Sequence, residues 1–151
     1  MLCSFVMRQI FHHINIDTVA QDFMKELAVR HETGPCVILF SGNLGAGKTT
    51  FIQTLAKQLG VTEQITSPTF TMMRRYVIPE NKTFEQLYHF DLYRIEDVSE
   101  LDRIGWSEAL SDPKGLVCVE WPERAGDRLP DHFFDVVLEH TDDPDMRTLM
   151  F

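Results

Sequence analysis

Cys36-Val37-Ile38-Leu39-Phe40-Ser41-Gly42-Asn43-Leu44-Gly45-Ala46-Gly47-Lys48-Thr49-Thr50-Phe51-Ile52 is the stretch that decides how this chain folds. Cys36 to Phe40 is a continuous apolar run, the pattern of a strand buried on both faces of a parallel sheet. From Lys48 to Leu59 the apolar side chains Phe51, Ile52, Leu55, Ala56 and Leu59 fall on one helical face, and Gly60 stops them. Between the two, Gly42 to Thr49 satisfies G-x-x-x-x-G-K-[ST] at every fixed position, in the strand, loop, helix context that gives the motif its meaning. Average residue usage produces such a match in about one chain in a hundred of this length or fewer. Glycines let successive backbone N–H groups converge on phosphate oxygens without a Cβ in the way, and the helix N-terminus adds unpaired donors and its positive dipole end. Lys48 then bridges the β- and γ-phosphates of a nucleotide, and the Thr49 hydroxyl ligates Mg²⁺.

On either side of this core the chain alternates strands and helices. Arg8 to Ile16 reads as a first strand, and Asp17 caps a helix carrying Ala20, Phe23, Met24, Leu27 and Ala28 that ends near Gly34-Pro35. Phe70 to Ile78 and Gln86 to Arg94 read as strands around the turn Pro79-Glu80-Asn81-Lys82, an antiparallel portion. Val98 to Leu110 is helical with a break at Gly105, Leu116 to Trp121 is a second buried strand, and Phe133 to His140 with Met146 to Phe151 make a final strand pair. The expectation is a single-domain α/β P-loop NTPase fold over residues 1–151, a mixed sheet of about seven strands flanked by helices. Repeats, low-complexity tracts and Gly/Ser linkers are absent.

Composition agrees with one globule. The 151 residues suit one domain, and 44% hydrophobic residues suffice for a packed core. With 14 Lys plus Arg against 23 Asp plus Glu, the formal charge is -9, which opposes sequence-independent nucleic-acid binding by this chain alone. Any nucleic acid must come through a partner or a local basic patch such as Arg74-Arg75 with Lys82. Three cysteines (Cys3, Cys36, Cys118) without a CxxC fit a reduced, cytoplasmic compartment and argue against zinc. The apolar start is seven residues long, short for a signal and far short of a membrane span. Met7 is a second candidate start, with residues 1–6 an upstream extension.

A Mg²⁺–nucleotide site needs a carboxylate at the end of a neighbouring buried strand. Glu120 closes Leu116-Val117-Cys118-Val119 and should emerge at the carboxyl edge of the sheet, where open α/β sheets bind ligands. The competing reading is a solvent-facing Glu. Asp91, inside Tyr88-His89-Phe90-Asp91-Leu92-Tyr93-Arg94, is the second candidate, since a charge in an apolar run needs a partner or a function; the competing reading is an ion pair with Arg94 or Arg75. Guanine specificity is disfavoured, because Asn81-Lys82-Thr83-Phe84 lacks the Asp of N-K-x-D, and Asp102-Arg103-Ile104-Gly105 follows a helical pattern with Gly105 as its stop. Adenine is the default.

Four segments in order, Gly42-Asn43-Leu44-Gly45-Ala46-Gly47-Lys48-Thr49-Thr50, Ser67-Pro68-Thr69-Phe70, His89-Phe90-Asp91-Leu92-Tyr93-Arg94 and Val119-Glu120-Trp121-Pro122, closely resemble the TsaE (YjeE) family, from about residue 15 to the C-terminus. The resemblance implies a P-loop ATPase that supports N6-threonylcarbamoyladenosine formation in tRNA with the TsaD and TsaB proteins, meeting tRNA only through that complex and no membrane. It implies that Gly45, Ala46, Gly47, Lys48, Thr49 and Thr50 hold the phosphates of ATP and that Thr49 and Glu120 hold Mg²⁺. Asp91 then helps order the γ-phosphate, metal or attacking water; with Lys48 and Glu120 it forms the catalytic set. Ser67 to Phe70 matches a switch-like loop, and Trp121 a tryptophan beside the nucleotide, with packing on the sheet edge as its other reading. Thr18 and Arg147 match as nucleotide contacts. No arginine occupies an obvious finger position, so the expected turnover is slow alone and raised when a partner orders Ser67 to Phe70. The alternatives are a small-molecule kinase, against which no lid-like insertion is evident, and a nucleotide-binding regulatory subunit with little turnover.

Overall fold

A strand that is apolar on both faces needs cover on both, and its neighbours supply it. The computed structural model describes residues 7–151, so residues 1–6, Cys3 among them, lie outside the described residues and the choice between the starts at Met1 and Met7 is not tested. Among these, one sheet is built from β1 (Arg8–His12), β2 (Cys36–Ser41), β3 (Met73–Val77), β4 (Gln86–Asp91), β5 (Gly115–Glu120), β6 (Phe134–His140) and β7 (Met146–Met150), in the order β1-β7-β6-β2-β5-β4-β3. β6, β2, β5 and β4 are parallel neighbours, whereas β3 on β4, β7 on β6 and β1 on β7 are antiparallel. This is the expected mixed sheet of seven strands.

Side chains alternate across a strand, so β2 divides its apolar residues between two cores. Cys36, Ile38 and Phe40 meet Phe23 and Leu27 of α1 (Ile16–Arg30) and Phe51, Ile52 and Leu55 of α2 (Lys48–Gln58). Val37 and Leu39 face Leu101, Trp106 and Ala125, which come from the 3₁₀ segment Val98–Arg103, α3 (Trp106–Ser111) and the 3₁₀ segment Pro122–Arg128. Phe51 is wholly buried, in ring contact with Phe23 and Phe40; truncating such a residue to Ala costs about 3–5 kcal/mol. Among the described residues no helix is long and apolar enough to cross a membrane.

Several boundaries differ from the sequence reading, each for a local reason. β1 stops at His12, whose Nδ1 accepts from the Ile14 N–H and opens a 3₁₀ turn, so the strand does not reach Ile16. Asp17 is not the helix cap. Asn15 holds the N-cap position without a side-chain bond, and Asp17 lies in the first turn of α1, where its charge suits the helix dipole. β3 begins at Met73 rather than Phe70, because Met72 adopts φ 62° and turns the chain. β4 ends at Asp91 and β5 at Glu120, so both carboxylates terminate their strands. The helical pattern after Val98 is broken as expected at Gly105, φ 80°.

Candidate functional site

The loop between β2 and α2 is shaped by where side chains are forbidden. Gly42 has φ 138°, and a Cβ there would lie 2.1 Å from the Leu138 carbonyl oxygen of β6. Gly47, φ 106°, occupies the N-cap of α2 and offers no side chain to cap it, so the first-turn N–H groups face the loop uncapped. Gly45 also has positive φ, and Ala46 is fully buried.

Lys48, 4% exposed, folds back so that its ammonium donates to the Gly42 carbonyl at 2.6 Å and the Asn43 carbonyl at 3.1 Å. Its Nζ also sits 4.2 Å from the centre of the Trp121 ring. Burial holds the ammonium below its ordinary pKa, against the opposing pull of Glu120, Asp91 and Glu123. Trp121 is reached through strain: the residue after β5 takes φ 58°, ψ 50°, a left-handed conformation that disfavours a bulky side chain. That turn lays the half-buried indole on Lys48 and against Tyr93, ring centres 5.1 Å apart.

Asp91 and Glu120 are in register at the ends of the parallel pair β4 and β5, and Glu120 is also in register with Phe40 of β2. Both carboxylates are almost completely buried. Thr49, one residue into α2, donates its hydroxyl to Glu120 Oε1 at 2.7 Å, and His89 Nε2 lies 2.8 Å from the same oxygen. Among the described residues Asp91 makes no ion pair with Arg75 or Arg94: Arg75 pairs with Glu108, and the Arg94 guanidinium lies over the Phe70 ring. Its Oδ2 instead accepts from Thr69 at 2.8 Å and Ser67 at 3.1 Å, and its Oδ1 accepts from the Tyr93 N–H at 3.1 Å. These donors satisfy the buried side chain, and the Lys48 ammonium is close enough to feel its charge.

These residues fit a hard divalent cation. Thr49 Oγ1 and the Glu120 carboxylate are adjacent oxygen donors. Two such oxygens would leave most of a hard cation's shell to ligands from outside the chain.

The structure thus brings together Gly45, Ala46, Gly47, Lys48, Thr49, Asp91, Glu120 and Trp121, with Thr50 exposed on the first turn of α2. Arg147 stands opposite His140 in the β6–β7 register, and His140 Nε2 comes within 3.4 Å of the Leu44 carbonyl, so this strand end adjoins the loop. The Arg147 guanidinium donates to the Pro144 and Met146 carbonyls. Thr18 is exposed in the first turn of α1, beside Asp17, whose carbonyl accepts from the Gln58 side chain of α2. Two contributions were not legible as such: the role of His89 toward Glu120, and the hydroxyls of Ser67 and Thr69 toward Asp91. A histidine inside an otherwise apolar strand was the available signal for the first.

A parallel-centred α/β sheet with a glycine loop, lysine and threonine between its central strand and the following helix defines the P-loop class. Within it, the family described as "Threonylcarbamoyl adenosine biosynthesis protein TsaE" matches residues 14–149, and the chain belongs to that family. It is 41% identical over 116 residues to the tRNA threonylcarbamoyladenosine biosynthesis protein TsaE of Nostoc sp., covering 74% of this chain and 67% of that one. To the TsaE protein of Bacillus subtilis it is 38% identical over 115 residues, 76% of this chain and 68% of the other. The crystal structure of Bacillus subtilis YdiB superposes with a TM-score of 0.64 at 27% identity, covering 96% of this chain and 84% of that one.

Proposed function

We propose that this protein binds Mg-ATP in the loop Gly42 to Thr49 and hydrolyses it to support threonylcarbamoyladenosine formation in tRNA, acting with TsaD and TsaB. The observation that carries this is the buried ammonium of Lys48, held by loop carbonyls beside two strand-end carboxylates, one of them bonded to Thr49. An ammonium so poorly hydrated gains most from an anion, and uncapped N–H groups at the start of α2 offer that anion further donors.

Each residue has a part that follows from its contacts. Lys48 exchanges its two carbonyl partners for phosphate oxygens. Thr49 and Glu120 hold Mg²⁺, which when bound neutralises charge on the phosphates. Asp91, oriented by three donors, orders the attacking water or the γ-phosphate, and Trp121 walls the site beside Lys48. Among the described residues no arginine is hydrogen-bonded or ion-paired to Thr49, Asp91 or Glu120, Arg147 being turned to the Pro144 and Met146 carbonyls, so turnover is slow until a partner completes the site. Ser67 to Phe70 is the segment through which that completion acts, because its hydroxyls are tied to Asp91.

The test measures release of inorganic phosphate from ATP without any acceptor, alone and with the TsaD–TsaB pair. Release that rises with the pair supports the proposal. Transfer that requires a small-molecule acceptor would make the protein a kinase, and equal turnover with and without the pair would remove the partner's role.

A further inference from the structure

Buried polar side-chain atoms are nearly always hydrogen-bonded. Among the described residues one is not: Nδ1 of His89. His89 is wholly buried on β4, on the sheet face whose other inward residues there are apolar, Leu87, Leu116, Cys118 and Ile38. It is in register with Cys118, two residues before Glu120, and its ring reaches diagonally to place Nε2 2.8 Å from Glu120 Oε1. That oxygen also accepts from Thr49 at 2.7 Å. Both hydrogen bonds to the carboxylate side chain therefore fall on one oxygen.

The orphaned nitrogen identifies the proton's position. A proton on Nδ1 would create a buried donor with nothing to receive it, whereas a bare Nδ1 leaves only an unused acceptor, the less costly case. The proton belongs on Nε2, directed at Glu120. A histidine kept for packing alone gains nothing from one unsatisfied nitrogen; one kept to direct a single N–H does. Groups that orient a metal-holding side chain from behind fix which of its oxygens is offered forward.

We infer that His89 is a positioning residue: by donating Nε2–H to Oε1 of Glu120, it fixes this carboxylate so that Oε2 remains to take a divalent cation, directly or through water, beside Thr49. The inference rests on the metal-holding part assigned to Glu120 under the proposed function.

Mn²⁺ is the probe, its free concentration read by electron paramagnetic resonance in the presence of saturating non-hydrolysable ATP analogue. His89→Phe, close in volume, is expected to keep analogue affinity in chelator within about twofold while Mn²⁺ affinity of the complex falls about 10–100-fold. His89→Gln, whose side-chain amide can donate toward the same oxygen, is expected to recover most of that loss. In the wild-type protein, ¹⁵N spectra of labelled histidine should show Nε2 protonated and Nδ1 not, a measurement that needs no variant to fold. Wild-type Mn²⁺ affinity in His89→Phe, or a proton found on Nδ1, would overturn the inference. Failure of the wild-type complex itself to bind Mn²⁺ would instead overturn the metal reading of the site, and the inference with it.

Discussion

Thr69 donates its hydroxyl to Oδ2 of Asp91 at 2.8 Å, joining residues 22 positions apart in the chain. Ser67 adds a second donor to the same oxygen, so the loop that leads into β3 is fastened to a buried carboxylate at the mouth of the site. Thr69→Val keeps the shape and removes one donor to a charge. It should lower unfolding free energy by about 1–3 kcal/mol, read as a shifted urea midpoint with unchanged m.

Asp91→Asn separates this structural part from the chemical one. The amide oxygen can still accept from the Tyr93 N–H, while its NH2 takes the place of Oδ2 and donates to the Ser67 and Thr69 hydroxyl oxygens, so nucleotide binding should survive. ATP hydrolysis should fall about 10²–10³-fold if Asp91 orders the reacting groups. Retained turnover would reduce Asp91 to an anchor for Ser67 and Thr69.

Lys48 and Trp121 give an optical readout. Trp106 is buried away from the loop, while Trp121 carries the Lys48 ammonium 4.2 Å from its ring centre. When Lys48 turns to phosphate, the indole loses that cation, so ATP should change Trp121 emission in a Trp106→Phe background. Lys48→Ala should abolish both the emission change and nucleotide retention without lowering stability. Its ammonium is already disfavoured by burial, a burden present below its lowered pKa and lifted as pH rises through it.

Gly42→Ala should be among the most damaging single changes in the loop. Its Cβ would overlap the Leu138 carbonyl at 2.1 Å and the residue would hold φ 138°. The expected loss is about 2–4 kcal/mol, visible as a lowered melting temperature, together with weaker nucleotide binding. Gly45→Ala meets no atom within 4 Å and should suffer only the backbone strain of φ 76°.

Alkaline pH should unfold the protein through its buried thiols. Burial pushes Cys36 from its ordinary 9.0 up to about 12, and Cys118 also rises. The native thiol keeps its proton while the unfolded one has lost it, so stability is full below pH 9 and declines as pH rises toward 12. The slope contributed by Cys36 approaches about 1.4 kcal/mol per pH unit. Urea titrations of Cys36→Ala across this window should show a shallower decline than wild type.

The P-loop and the doubly buried strands were determined by the sequence alone, because each is written in consecutive residues. An unbroken apolar run admits few environments, and glycine at positions of positive φ followed by Lys48-Thr49 is a local backbone device. Glu120 could be placed for the same reason, as the residue closing such a run. Tertiary structure decided what those residues touch. The parallel pairing of β4 with β5 sets His89 diagonal to Glu120 and Asp91 beside it, a register no one-dimensional spacing encodes. Strand ends were likewise misplaced where a single backbone angle intervened, at Met72 and Trp121, whose left-handed φ is imposed by packing against their neighbours and runs against their own preference. Two of the three partners of Asp91, Ser67 and Thr69, came from a loop far away in the chain. Hydrogen bonds to a buried charge are chosen by whatever donors the fold brings within 3 Å, and only the folded chain has made that choice.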